Sequence, residues 1–146
     1  MTLDTGALRL VDLDERAEVE FHALARMRRG MNELYEFVQM AASAHGCSVS
    51  MYHLLLALKN SRRDTRPDIG MLATSLGVRH PSAAEMVRKA EAAGFLRSSA
   101  DPEDRRRVLV ELTDAGHEAL ERIADEHAAE LRRVRDGMIA TLHALG

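Results

Sequence analysis

Three adjacent arginines, Arg105, Arg106 and Arg107, follow the acidic, proline-bearing stretch Asp101-Pro102-Glu103-Asp104. A guanidinium stays charged at physiological pH and presents its donors in a rigid fork that matches phosphate, so clustered arginines suit a polyanion. The short apolar runs on either side, Phe95-Leu96 and Val108-Leu109-Val110, are β-prone. Proline and paired acids between two such runs predict a hairpin with the cations at its tip. An exposed tip of this kind fits the minor groove of double-stranded DNA, where the potential is most negative. Arg105 is the first candidate for that insertion; the plain alternative is a solvated charge in a turn.

The other reactive side chains do not assemble into a recognisable centre. Cys47 lies beside Ser48 at an expected helix start, and a helix N-terminus lowers a thiol pKa, which makes it a candidate redox sensor. A buried, inert single cysteine is the commoner case. His45 lies near Cys47, and His117 shares a helical face with Glu121, yet the chain has no C-x-x-C or H-E-x-x-H cluster. No metal and no cofactor is expected. Nor is there a nucleophile elbow, a phosphate-binding glycine loop or a paired-carboxylate constellation, so the sequence does not read as an enzyme.

At 146 residues, 46% of them apolar, the chain is long enough for one compact domain, or for one domain with helical extensions. It has no Trp, two Tyr and three Phe, too few aromatics for a platform that stacks single-stranded bases. One cysteine excludes an intrachain disulfide and suits a reducing compartment. No run approaches 18 apolar residues, and Met1-Thr2-Leu3-Asp4 lacks the form of a signal peptide, so a cytoplasmic protein without a membrane partner is expected. The formal net charge of −3 hides a division along the chain. Residues 59–107 hold 11 Lys/Arg against 7 Asp/Glu, or +4, while the flanking segments are acidic. Binding to a polyanion responds to the local field, and the basic stretch coincides with the expected hairpin.

The elements that would position these residues are mostly helical. Val19, Leu24, Met27, Met31, Leu34, Phe37 and Val38 recur at spacings of three, four and seven, which predicts a long helix over 12–45 ended by Gly46. Residues 1–11 are either an arm or a short extra helix. Ser48 can cap a second, nearly all-apolar helix, and 59–67 reads as a polar connection. Asp68 can cap a third helix carrying Ile69, Leu72, Ala73 and Leu76, with Gly77 supplying the turn. Pro81 suits the first turn of a fourth helix that stops at Gly94. Ala83, Met86, Val87 and Ala90 should face inward there. Ser82, Glu85, Arg88 and Lys89 should face outward, as the side chains of a recognition helix do; Ser82 can instead serve as a cap. Thr113 can cap a final helical region of some 30 residues that Gly137 is expected to split in two. Apolar stripes at both termini exceed what a small winged helix needs, which points to burial against a second copy of the chain.

The order of elements and the motifs resemble the MarR family of transcription regulators. The resemblance runs from about Ser48 to Glu121. It rests on Leu72-Ala73, Leu76-Gly77-Val78, Pro81-Ser82, Glu91-Ala92-Ala93-Gly94-Phe95-Leu96, the wing Asp101-Pro102-Glu103-Asp104-Arg105-Arg106, and Leu112-Thr113-Asp114-Ala115-Gly116. It implies an obligate homodimer built from the terminal helices, a pseudo-palindromic operator and an effector that alters the spacing of two reading heads. It also implies that Arg105 enters the minor groove, that Asp101 and Asp104 brace the wing, and that Arg106 pairs with them. The chain departs from the family where Ser82-Ala83-Ala84-Glu85 puts Glu in place of a common arginine; Glu85 could then accept from a cytosine amino group. Arg79-His80 can compensate for the lost cation. Glu103 also stands where some members carry a further arginine.

The expected fold is therefore mainly α with a small β-hairpin wing. Residues 1–47 would form an N-terminal dimerisation helix, 48–112 a winged helix–turn–helix, and 113–146 C-terminal dimerisation helices. The expected function is that of a homodimeric DNA-binding regulator, most simply a repressor, reading half-sites about 10–10.5 bp apart. A small-molecule effector would be expected where the first, second and last helices meet, with Phe37, Met40, Met51 and Tyr52 as walls. The alternatives are a winged-helix dimer that binds protein or ligand without reading DNA, or a redox- or metal-responsive regulator.

Overall fold

Three helices begin where the sequence supplies a hydrogen-bonding side chain, Ser48, Asp68 or Thr113. In the computed structural model, which describes residues 5–62 and 66–146 and side chains from Glu15 onward, the order is α1 (Thr5–Ala44), α2 (Val49–Asn60), α3 (Ile69–Leu76), α4 (His80–Ala92), β1 (Leu96–Ala100), β2 (Val108–Leu112) and α5 (Asp114–His143). α1 closes on Gly46 at φ 75°, with the Cys47 and Gly46 amides donating to Ala42 and Ser43 carbonyls at 2.9 and 3.1 Å. That left-handed closure is the one glycine favours. Ser48 Oγ accepts from the Met51 amide at the start of α2, and Asp68 Oδ1 from the Met71 amide at the start of α3, at 3.1 and 2.8 Å. Each satisfies an amide that the first turn leaves without a partner.

The architecture is the mainly helical winged helix expected from the sequence, with β1 and β2 paired antiparallel from Leu96↔Leu112 to Ala100↔Val108. Two boundaries differ. The described part of the N-terminal segment, from Thr5, is not an arm or a separate helix but the beginning of a 40-residue α1. Residues 1–4, and 63–65 of the polar connection, lie outside the described residues. Gly137 does not divide the last helix, for α5 runs unbroken through 30 residues. A single glycine costs about 1 kcal/mol in a helix, too little to break one this long.

Two compact units make up the chain: Val38–His127, and the N-terminal part of α1 up to Phe37 with Ala128–Gly146. The first holds a core of Tyr52, Leu54, Leu55, Leu72, Leu96, Val110 and Ile123, all under 2% exposed. Ala83, Val87 and Ala90 turn the inner face of α4 onto that core. In the second unit the expected stripe is largely uncovered. Val19, Leu24 and Met31 of α1, with Phe21 and Tyr35, are more than half exposed, as is Leu142 of α5.

The joint between hairpin and last helix explains the Leu112-Thr113-Asp114-Ala115-Gly116 motif. Thr113 Oγ1 accepts from the Gly116 amide at 3.1 Å and donates to the Gly94 carbonyl at 2.6 Å, while the Thr113 amide donates to Phe95 O at 3.1 Å. Gly116 lies against this backbone so closely that a Cβ there would come within 1.9 Å of Phe95 O. Since a carbonyl cannot rotate away as a side chain does, Gly116→Ala is expected to destabilise the protein by roughly 2–3 kcal/mol. Urea unfolding of the two proteins checks this; an unchanged midpoint would show that the contact yields at no cost.

Candidate nucleic-acid interface

The wing is a seven-residue loop, 101–107, between β1 and β2, and its acids fold it locally. Asp101 Oδ1 accepts from the Glu103 amide at 2.9 Å, and Asp104 Oδ1 from the Arg106 amide at 3.1 Å. Both are Asx-type turns, the conformations aspartate favours. The loop closes where the Asp101 amide donates to Arg107 O and the Arg107 amide to Asp104 O, each at 3.0 Å.

At its base the arginine that pairs with the acids is Arg107, not Arg106. Arg107 Nη1 donates to Asp101 Oδ2 at 3.2 Å and Nε to Asp68 Oδ2 at 2.9 Å. Asp68 thus serves two elements, capping α3 with one oxygen and holding the wing with the other. The Val110 amide donates to Pro67 O at 3.0 Å and Asp68 forms a β-bridge with Leu109, so the start of α3 is laced to β2 by backbone as well. Arg107 was within reach of the sequence, because closing the turn sets it across from Asp101. Its second partner was not, since Asp68 is 39 residues away.

Arg105 and Arg106 occupy the tip. Both are exposed, and neither forms a salt bridge among the described residues. The middle of β1 is tied to α4: the Ser98 amide and Oγ both donate to the Glu91 carboxylate, at 2.8 and 2.7 Å. These two hydrogen bonds, amide first, hold the Glu91 carboxyl below its ordinary range.

On α4, Ser82, Arg88 and Lys89 are exposed and Glu85 is half-buried. Arg79 and His80, at the helix start, are exposed too. Glu85 is not a lone acid, because Arg88 Nη2 donates to its Oε2 and Lys89 Nζ lies 3.8 Å from its Oε1. Ser82 makes no cap at the start of α4, where Arg79 occupies the N-cap position and Pro81 the first turn.

The remaining candidates lie apart from this surface. Cys47 is buried, and burial pushes its thiol pKa up, opposite to what a sensing thiolate needs. His45 meets Glu126 at 2.8 Å and not Cys47. Of the four expected pocket walls, Tyr52 is core, its hydroxyl 2.9 Å from His127 Nδ1, whereas Met40 is 74% exposed. Met51 and Phe37 are half-buried. Two clefts of this unit are lined by other residues, one of about 500 Å³ by His53, Leu56, Lys59, Ser75 and Leu76, and one of about 300 Å³ by Lys59, Arg62, Arg66 and His117 among others. No helix among the described residues is long and apolar enough to cross a membrane.

Residues 48–108, the span from the cap of α2 to the start of β2, match the family model of the MarR family. No curated protein matches the chain in sequence. Solved structures share its fold. A MarR family transcription regulator is 17% identical with a TM-score of 0.75, over 86% of this chain and 82% of its own. A mutant of MepR from S. aureus bound to an oligodeoxyribonucleotide is 19% identical with a TM-score of 0.66, over 86% and 98%. CouR from Rhodococcus jostii, bound to p-coumaroyl-CoA, is 20% identical with a TM-score of 0.63, over 82% and 87%. At these identities the likeness is one of fold.

The Asp68 carboxyl sits below its ordinary value near 3.8, first through the Met71 amide and then through Arg107. A carboxyl depressed on folding stabilises the native state above its unfolded-state value, and that contribution is lost as pH falls from about 3.8 through the lower folded-state value. Asp68→Asn should therefore be less stable than the parent at pH 7 and lose less stability on acidification. Urea midpoints at pH 7 and pH 3 measure the difference. Equal acid sensitivity of the two proteins would contradict this role.

Proposed function

Because residues 48–108 form a MarR family domain in the fold of solved MarR regulators, we propose that this chain is a homodimeric regulator of transcription that binds double-stranded DNA. In this reading residues 48–112 read the duplex, and 1–47 with 113–146 join two copies. α4 enters the major groove, presenting Ser82, Glu85, Arg88 and Lys89, with Arg79 and His80 at the backbone by its start. The wing carries Arg105 into the adjacent minor groove and sets Arg106 against a phosphate, with Asp101 and Asp104 holding the loop in shape.

One observation carries the proposal: the wing is fixed at its base by Arg107 and leaves two guanidinium groups exposed at its tip, without ion-pair partners among the described residues. A cation without a partner gives up no ion pair when it meets a phosphate, and with the wing backbone already fixed only its side chain has to be ordered. The oligodeoxyribonucleotide bound to the similar MepR fold supports DNA as the ligand. The uncovered apolar side chains of α1 and α5, Phe21, Leu24, Met31 and Leu142 among them, support burial in a second copy. Repression is the simplest mode of action for a protein occupying an operator with two half-sites. A small-molecule effector, of the kind that the CouR complex exemplifies for that protein, would act by favouring a dimer geometry whose heads no longer fit the half-site spacing.

Arg105→Ala is expected to weaken binding to a duplex from the protein's own upstream region by roughly ten-fold. It should also lower the slope of log affinity against log salt by about 1, with the sedimentation coefficient unchanged. Fluorescence anisotropy across a salt series reads both quantities. A wild-type affinity that does not depend on salt, or an Arg105→Ala protein that binds as the parent does, would overturn the proposal in favour of a protein- or ligand-binding dimer.

A further inference from the structure

Of the two carboxylates on α4, Glu91 is bound to Ser98 of β1, whereas Glu85 is engaged by cations of its own helix. Glu85 accepts from Arg88 and lies 3.8 Å from Lys89 Nζ, and the two cationic side chains are 74% and 69% exposed. The hydrogen bond from Arg88 is the main cause of the lowered pKa of Glu85, so the acid is ionised throughout the physiological range. An exposed pair at i,i+3 adds little to helix stability. Its larger consequence is electrostatic. A carboxylate facing a duplex is repelled by phosphates whatever the base sequence, and here it also occupies the two nearest cations.

Such an arrangement penalises every duplex unless the groove returns a donor to the carboxylate, since an acceptor stripped of water without a partner is costly. In the major groove the donors are exocyclic amino groups, and the cytosine N4 amino group is the usual partner of a glutamate. Guanine O6 and thymine O4 at the same place would set oxygen against oxygen. Resting on the reading of α4 as the recognition helix, we propose that Glu85 is a specificity-determining residue. Off DNA it keeps Arg88 and Lys89 from phosphates of arbitrary sequence. At its operator it accepts from the amino group of one cytosine in each half-site and releases Arg88 and Lys89 to the backbone.

The test selects bound duplexes from a randomised pool, once with the wild-type protein and once with Glu85→Gln and Glu85→Ala, and then measures affinities for the wild-type-selected duplex and for a random-sequence duplex. The wild-type pool should fix a cytosine at one position in each half-site, and both variant pools should lose it. The variants should bind the random duplex roughly ten-fold more tightly at equal salt while gaining nothing on the selected one. The proposal is overturned if the same cytosine stays fixed in the variants, or if both duplexes shift in step. A wild-type pool with no enriched sequence is a different result: it removes the DNA-reading function itself, and this inference with it.

Discussion

The guanidinium of Arg107, held between Asp68 and Asp101, is the constraint on which the winged unit turns. Its two partners come from the start of α3 and the end of β1, 39 and 6 residues away in sequence. A planar fork can address two carboxylates at once, which an ammonium on a flexible stem does less well. The Asp101 side chain is only 12% exposed and that of Asp68 21%, so losing the arginine would leave two poorly hydrated charges without a counterion. With that base fixed, the loop has a defined direction and its tip presents two exposed arginine side chains.

Two kinds of cation follow from this layout. Those at the wing tip make no salt bridges among the described residues and are available to any phosphate. Those on α4 are committed to Glu85, and Glu91 ties the last turn of the same helix to β1. In the proposed function the wing therefore supplies most of the affinity and α4 most of the discrimination. The chain as a whole remains acidic, with the positive charge gathered in the segment that holds both elements. In the proposed function, attraction to a polyanion is thereby gathered in that segment, and the acids of the flanking segments oppose contact elsewhere.

Much of the fold was legible in the sequence because its signals are local. Ser48, Asp68 and Thr113 each accept from an amide of the first turn they precede, as their side-chain chemistry suggests. Gly46, Gly77 and Gly94 each take the positive φ that ends a helix. The inner row of α4 was readable from helical periodicity, and the hairpin from its proline and acids. What escaped was non-local. Closing the turn sets Arg107 across from Asp101, but its second partner, Asp68, lies too far off in sequence for spacing to show it. Gly137 carries a breaking signal that the rest of α5 outweighs. Cys47 looked like a thiol at a helix start, but packing in the Val38–His127 unit buries it. Tyr52 read as a pocket wall, whereas its hydroxyl is satisfied by His127 inside the core. The stripe on α1 announced an apolar face without saying what covers it.

The most direct test of the wing-and-helix surface is to titrate a duplex from the upstream region into isotopically labelled protein at low salt and follow the backbone amides by NMR. Shifts confined to the start and outer row of α4, 79–89, and to the wing tip, 103–106, with the Arg105 and Arg106 guanidinium signals moving together with them, are the expected outcome. Shifts gathered instead along α1 and α5, or none at those guanidinium groups under saturating duplex, would contradict it.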